Sequence, residues 1–369
     1  MLITTRFGDT PQLHLVAQPG GARTQLTFFS DRVDGGSYQS GKGDFAVFTK
    51  GAGGNEFNQN YRFDFATVEV TLLTDGKSRN SEPEWSESGK LIAYTSTRRN
   101  GTDTDIYLQS PSDPASDRLL AEVQGGGWQI EDWSPDDKQL LVQEYVSINE
   151  SYLWLFDTTT GERKEVTPRP GEGEEKVAYE KARFARDGKG LFVTTDRESE
   201  FQRLAFLELA TGKHSYLLPE QKWDVDDWDL SRDGKSIAYT LNERGMSTLH
   251  MLEAVPGKDG MTARGMKEPE FNPPLPPSVI SGLHWHRDPK LGLLAFNVGS
   301  ARSPSDVYSW SIAGGKNLTT RWTASETGGI ATGELVEPEL VLWKSFDGRE
   351  ISGYLYKPDP EKFPGKRPV

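Results

Sequence analysis

Leu230-Ser231-Arg232-Asp233-Gly234-Lys235-Ser236-Ile237-Ala238-Tyr239-Thr240 joins an apolar residue, a polar tight turn and a β-rich apolar run, and the chain carries this phrase five times. The other copies begin at Trp85 (Trp-Ser-Glu-Ser-Gly89), Trp133 (Trp-Ser-Pro-Asp-Asp137), Phe184 (Phe-Ala-Arg-Asp-Gly188) and Trp285 (Trp-His-Arg-Asp-Pro289). Their leading residues lie 48, 51, 46 and 55 positions apart. A period of roughly 40 to 50 residues with several short strands per unit predicts a β-propeller. Ser-x-Asp-Gly supplies residues that bond their own backbone or accept positive φ, so it reverses the chain between two strands. The apolar run that follows reads as a strand buried on both faces between neighbouring blades. A third, alternating strand follows at Asp105–Leu108, Tyr152–Phe156, Arg203–Leu207, Thr248–Leu252 and Asp306–Trp310. A Thr-Gly or Gly-Gly turn (160–161, 211–212, 314–315) then leads to an outer strand, so each copy is one four-stranded blade.

Outward from these copies, Asp44–Thr49 and Asn60–Asp64 give a divergent blade. Leu2–Thr5, Gln12–Val16 and Arg23–Thr27 read as the second, third and fourth strands of another, whose innermost strand is missing. The expectation is an all-β, seven-bladed propeller over 1–325, with an incomplete first blade and a natural N-terminus that is longer. The blades fall near 1–27, 34–73, 79–122, 127–168, 178–218, 224–255 and 279–320, with connectors at 169–176 and 255–278, the latter including Pro273. Trp85, Trp133 and Trp285 should wedge between neighbouring blades.

The 369 residues hold 42 Lys and Arg against 55 Asp and Glu, a net charge of -13, which argues against nucleic acid or an anionic membrane as partner. No apolar run approaches the roughly 18 residues of a membrane helix, and Met1–Asp9 lacks a signal-peptide layout. With no Cys there is no disulfide or thiolate chemistry. The compartment stays open between the cytoplasm, as first choice, and the periplasm.

The tail departs from the repeat. Glu339-Leu-Val-Leu-Trp-Lys-Ser-Phe-Asp347-Gly348-Arg-Glu-Ile-Ser-Gly-Tyr-Leu-Tyr-Lys-Pro358 is two strands across an Asp-Gly turn, followed by Phe363-Pro-Gly-Lys-Arg-Pro-Val369. Either the hairpin lends a strand to the first blade or it opens a new domain. A propeller of this repeat type followed by this tail resembles the prolyl oligopeptidase family of serine peptidases, nearest its acylaminoacyl-peptidase and dipeptidyl-aminopeptidase branch. The propeller motif is shared with TolB-like and WD40-like propellers; the tail is the specific part. The resemblance implies that 326–369 is a linker and the opening strands of an α/β-hydrolase domain. It also implies a parent enzyme that hydrolyses short peptides through an acyl-enzyme. The alternative is a self-contained TolB-like binding propeller with no hydrolase.

Acyl transfer on that fold needs a Gly-x-Ser-x-Gly elbow, then Asp and His, and no such elbow occurs in this sequence. No catalytic residue and no cofactor are therefore expected here. Ser37 reads as a turn residue in a loop of the second blade. His14 and His250 fall in third-strand patterns, His214 falls in an outer turn, and His284 and His286 flank Trp285 with no third metal ligand at sensible spacing. Asp224-Val-Asp-Asp-Trp-Asp229 lacks the Gly and distal Glu of a Ca²⁺ loop, so its carboxylates are expected on turn amides, and no metal is expected. Three glycosylation sequons, at Asn100, Asn149 and Asn317, match by chance composition.

Loops joining second to third strands should share one face. They bring Asn55, Glu56, Arg99, Glu150, Glu200 and Arg302 forward as candidates to hold a peptide terminus or to meet the missing α/β-hydrolase domain. The expected partners are thus the parent enzyme's peptide substrate and that domain, with a homo-oligomer left open.

Overall fold

A computed structural model describes the whole chain except residues 172, 259, 267, 272–273, 314–316 and 366–369. The expected Gly314-Gly315 turn, Pro273 and the closing residues 366–369 lie outside the described residues. The chain is all-β, with the seven blade sheets of a β-propeller and a separate two-stranded hairpin. Blade 1 is β1 (Leu2–Thr5), β2 (Gln12–Val16) and β3 (Arg23–Gln25), and blade 2 is β4 (Val33–Tyr38), β5 (Phe45–Lys50), β6 (Gln59–Asp64) and β7 (Val70–Leu72). Blade 3 is β8 (Glu84–Trp85), β9 (Ile92–Ser96), β10 (Asp105–Ser110) and β11 (Asp113–Ala121). Blade 4 is β12 (Trp128–Trp133), β13 (Gln139–Ser147), β14 (Glu150–Asp157) and β15 (Arg163–Glu165). Blade 5 is β16 (Tyr179–Phe184), β17 (Gly190–Thr195), β18 (Arg203–Glu208) and β19 (His214–Tyr216). Blade 6 is β20 (Val225–Leu230), β21 (Ser236–Glu243), β22 (Met246–Gly257) and β23 (Gly260–Gly265). Blade 7 is β24 (Ser278–Trp285), β25 (Leu293–Ser300), β26 (Ser303–Ser311) and β27 (Leu318–Arg321), and the hairpin is β28 (Glu339–Lys344) and β29 (Glu350–Leu355).

The repeated turn works as its chemistry dictates. In blade 6, Ser231 Oγ accepts the Ser236 amide at 2.9 Å and donates to Asp233 Oδ1 at 2.7 Å, and Asp233 Oδ1 accepts the Lys235 amide at 3.2 Å. Ser134 and Asp136 repeat the first two bonds in blade 4, at 2.9 and 2.8 Å. Gly89 takes φ 67°, and a Cβ there would lie 2.0 Å from the Ser40 carbonyl oxygen, so both conformation and space require glycine. Asp137 holds the corresponding left-handed place in blade 4 at φ 59°.

The chain divides into two compact units, Met1–Gln18 with Ala22–Pro219 and Gly257–Met261, and Pro19–Gly21 with Glu220–Pro256 and Thr262–Val369. In both, the core lies between successive sheets. Every residue of β5, β9 and β17 is buried. Trp133 packs with Ala93, Ile106 and Leu108 of the preceding blade, and Trp285 packs with Ala238, Leu249 and Met251 of blade 6. Trp85 is only partly buried, beside Phe45 at a ring-centroid distance of 5.9 Å. A blade's sheet has two apolar faces, and only a neighbouring blade covers each.

Three expectations need correction. Ser37 lies inside β4 rather than in a loop, and its hydroxyl accepts the Trp85 indole N–H at 2.8 Å. Asp34-Gly35-Gly36 carries no strand signal, yet glycine fits because a Cβ on Gly36 would come within 2.8 Å of Leu13 Cδ1. His214 opens the outer strand β19 instead of sitting in a turn. Blade 6 extends past residue 255, for β22 runs to Gly257 and β23 supplies the outer strand from what read as a linker. In β23, Met261 and Ala263 are the only apolar side chains, too weak a pattern to announce a strand.

Candidate functional site on the loop face and innermost strands

The candidate residues occupy equivalent connections. Asn55 and Glu56 follow β5, Arg99 follows β9, Glu150 opens β14, Glu200 follows β17, and Arg302 follows β25. Most of them hold their own loops. Asn55 Oδ1 accepts the Phe57 amide at 3.0 Å. Arg99 donates from Nε and Nη2 to the fully buried Asp105 at 2.7 and 2.9 Å, and from Nη2 to Asp103 at 2.9 Å. Those bonds, Asp105 foremost, hold the Arg99 guanidinium above its ordinary range. The Glu150 carboxylate meets Lys176 at 2.5 Å and accepts from the Tyr152 hydroxyl at 2.6 Å, and these bonds keep its carboxyl below the usual range. Glu56 is exposed and 3.5 Å from Arg79, and Glu200 is exposed. In the second unit, Arg302 donates to the Leu335 carbonyl at 2.9 Å and pairs with Glu337 at 3.4 Å. Among the described residues of the first unit, Asn55, Glu56, Arg99, Glu150 and Glu200 share no hydrogen bond or ion pair with one another.

The innermost strands bring together a different set. Asp132 Oδ2 accepts the Phe184 amide of the next blade at 2.8 Å, and Glu131 Oε2 accepts the Ala182 amide at 3.1 Å. The second unit repeats this, where Asp229 Oδ2 accepts the Trp285 amide at 2.7 Å and Asp227 Oδ2 accepts the Leu283 amide at 2.9 Å. The leading tryptophans bond backwards, Trp133 Nε1 to the Glu84 carbonyl and Trp285 Nε1 to the Asp229 carbonyl, each at 3.1 Å. Successive innermost strands are not paired in one sheet, so carboxylate-to-amide clips satisfy amides that a ladder would otherwise serve. Within Asp224–Asp229, Asp227 and Asp229 thus bond amides of the next blade's strand rather than of a turn.

Burial concentrates an unusual charge state here. Burial raises the Glu84 carboxyl to about 7, opposed by Arg183 and reinforced by Asp132, Glu131 and Glu82. Burial also raises Glu131 and Asp132, against the pull of Arg183 and their amide bonds, and raises Glu82, with Asp34 adding to it. The signal for this set was visible one to three residues ahead of each leading residue: Glu82 and Glu84, Glu131 and Asp132, Lys181 and Arg183, Asp227 and Asp229. Such residues look like solvated strand ends unless the stacking of one blade on the next is considered. A cavity of about 80 Å³ between Ser231, Trp285, His286 and Ile312 is too small for a peptide. Among the described residues no group of three or more His, Asp or Glu is arranged to hold a metal ion.

No family model matches the sequence. The uncharacterized peptidase YuxL of Bacillus subtilis (strain 168) is 26% identical over 169 residues, 46% of this chain and 23% of that protein. A solved prolyl endopeptidase superposes with a TM-score of 0.71 at 16% identity, covering 93% of this chain and 50% of its own. Prolyl oligopeptidase B from Galerina marginata gives 0.65 at 12% identity, covering 93% and 51%. The same enzyme with a bound 35mer substrate gives 0.66 at 13%, covering 88% and 45%. The chain therefore spans about half the length of these structures and aligns with about a quarter of the curated peptidase. At such identity the superpositions carry the fold alone: the chain is a β-propeller similar in fold to the propellers of these structures.

Proposed function

We propose that this propeller serves a prolyl oligopeptidase-like serine peptidase, where it admits short peptides, excludes folded proteins and docks an α/β-hydrolase domain begun by the hairpin. The observation that carries this reading is the hairpin itself. β28 and β29 pair from Glu339↔Leu355 to Lys344↔Glu350 as a sheet of their own. Leu340 and Leu342 are each 44% exposed, Trp343 50%, and Phe346 fully exposed. A lone two-stranded hairpin is marginal in water, and such apolar side chains call for further strands and a covering layer. An α/β-hydrolase sheet supplies both. The peptide specificity proposed is of the acylaminoacyl or dipeptidyl type, and the exposed Glu56 and Glu200 are proposed to face the peptide or the docked domain.

The test uses the complete gene product. It should label stoichiometrically with a fluorophosphonate and cleave peptides up to a size limit. Removing residues 1–325 should abolish the size limit while leaving labelling intact. The reading is overturned if the complete product takes no label, or if its size limit survives loss of the propeller. Residues 1–369 alone should take no label, having no nucleophile elbow.

A further inference from the structure

The outermost strands of the first unit differ in one respect. β3 carries Arg23, β11 carries Arg118, β15 carries Arg163 and Lys164, and β19 carries His214. Ionisable side chains at such an edge keep other chains from pairing with it. β7 is Val70, Thr71 and Leu72 and has none. Val70 is 41% exposed, Leu72 42% and the adjoining Val68 64%. From Ala66 to Thr74 the one charged residue is Glu69, in a chain whose net charge of -13 otherwise sets copies apart.

The backbone along β7 is open in a definite direction. β7 closes the order β4-β5-β6-β7, so this edge belongs to a blade with all four strands. Asp64 N donates to Glu69 O at 3.0 Å and Leu73 N donates to Asn60 O at 2.9 Å, which makes 64↔69 and 60↔73 bonded pairs that continue the β6–β7 register. Bonded and unbonded pairs alternate in an antiparallel ladder, so Arg62↔Thr71 is the bonded pair between them. The N–H and C=O of Val70 and Leu72 therefore point away from β6, to the outside of the blade.

We infer that β7 pairs antiparallel with β7 of a second copy of this chain, about a two-fold axis at Thr71. The strand is complementary to itself. Val70 stands opposite Leu72 of the copy and Leu72 opposite Val70 of the copy, so both outward residues of each strand are used and backbone hydrogen bonds form at both pairs. The apolar side chains of the two strands come together on one face, and Thr71 meets Thr71 of the copy on the other. Glu69 comes opposite Leu73, so no like charges face each other. The outer strands of two blades thus join into one continuous sheet. An unrelated partner would have to bring an uncharged apolar strand of its own, and a second copy brings one by construction. The inference does not depend on the peptidase reading.

The test is sedimentation velocity of residues 1–369 over a range of concentrations, with hydrogen exchange at both ends of that range. Expected are a reversible monomer–dimer equilibrium and, in the dimer, slowed exchange at the Val70 and Leu72 amides, while the Thr71 amide, already bonded to β6, is unchanged. Leu72→Lys puts a charge into the apolar face and should weaken dimerisation by about tenfold or more, while Leu72→Ile keeps it. Because the chain has no Cys, Thr71→Cys reads the register. Its thiols would meet in an unbonded pair with Cα atoms about 4.5 Å apart and should link two copies under mild oxidation, whereas Glu69→Cys should not. The inference fails if the chain stays monomeric, if Leu72→Lys dimerises like Leu72→Ile, or if Glu69→Cys links copies as readily as Thr71→Cys. Exchange on the unsubstituted chain decides independently of every variant: a dimer whose Val70 and Leu72 amides exchange as in the monomer overturns it, as does protection of those amides by an unrelated apolar peptide alone.

Discussion

Trp133 and Trp343 both lie on antiparallel strands, yet Trp133 is 1% exposed and Trp343 is 50% exposed. Their local sequences, Ile-Glu-Asp-Trp and Leu-Val-Leu-Trp, would rank the second as the more buried. The difference is tertiary. Trp133 stands between its own sheet and the apolar face of blade 3, and its indole N–H reaches the Glu84 carbonyl. Trp343 has one partner strand and lies over Gly353, where a Cβ would meet its ring at 2.9 Å. A repeat buries its aromatics because the next copy covers them, and the hairpin has no next copy in this chain.

The comparison breaks most visibly at Trp133. Trp133→Ala should cost about 3 to 5 kcal/mol in denaturant unfolding, the range for buried aromatics, because it opens a cavity and removes the indole N–H that the Glu84 carbonyl accepts. A loss below about 1 kcal/mol would mean that the interface between blades 3 and 4 does not carry the fold.

Next in size is a pH effect confined to the innermost strands. The Glu84 carboxyl, ordinarily 4.5, sits at about 7 in the folded chain. Between those values the native state holds a proton that the unfolded state has released, so this stabilisation is complete below pH 4.5 and is lost as pH rises through 7. The shift corresponds to about 3 kcal/mol at most. Glu84→Gln should flatten the stability profile across that window. An unchanged slope would remove Glu84 from the set, leaving Glu131 and Asp132 to account for it. Asp306 works in the opposite direction: burial raises its carboxyl, but bonds from Arg321, Thr323 and Ser303 outweigh that and hold it low, so its contribution is lost only in acid.

Smaller again is the effect of removing residues 335–369. The tail is tied to blade 6 by Arg244 to Glu350 at 3.0 Å, and to blade 7 by Arg302 to the Leu335 carbonyl at 2.9 Å, and such exposed contacts are worth about 0.5 kcal/mol each. The midpoint should barely move. In the intact chain, amides of β28 and β29 should exchange far faster than those of β9. Equal protection would mean that the hairpin is as integral as a blade strand.

These differences also mark what sequence could reveal. Ser-x-Asp-Gly turns followed by apolar runs are local, so Leu91–Tyr94 and Ile237–Tyr239 announced their strands without any neighbour. β4 and β23 were missed because Gly35, Gly36 and the polar Thr262 and Arg264 take their places from packing and pairing across the blade, not from propensity. The loop candidates lie at or beside the connections from second to third strands. What stayed hidden was their chemistry: Arg99 is spent on Asp103 and Asp105 within its own loop. The innermost carboxylates were hidden for a further reason. Asp132 meets Phe184 across 52 residues, a pairing that only the stacking of successive blades creates.

The smallest expected effect lies at Trp343 itself. In residues 1–369, Trp343→Ala should cost about 0.5 kcal/mol or less, since half its surface already meets water and it loses mainly its contact across to Gly353. The same substitution in the complete gene product should cost several times more if a hydrolase sheet and its helices cover this face. The two measurements together separate a hairpin that is merely a decorated tail from one that waits for a domain. A penalty that stays small in both would leave the exposed Leu340, Leu342 and Trp343 without a covering layer. A large penalty already in the short chain would show instead that the propeller itself buries this tryptophan.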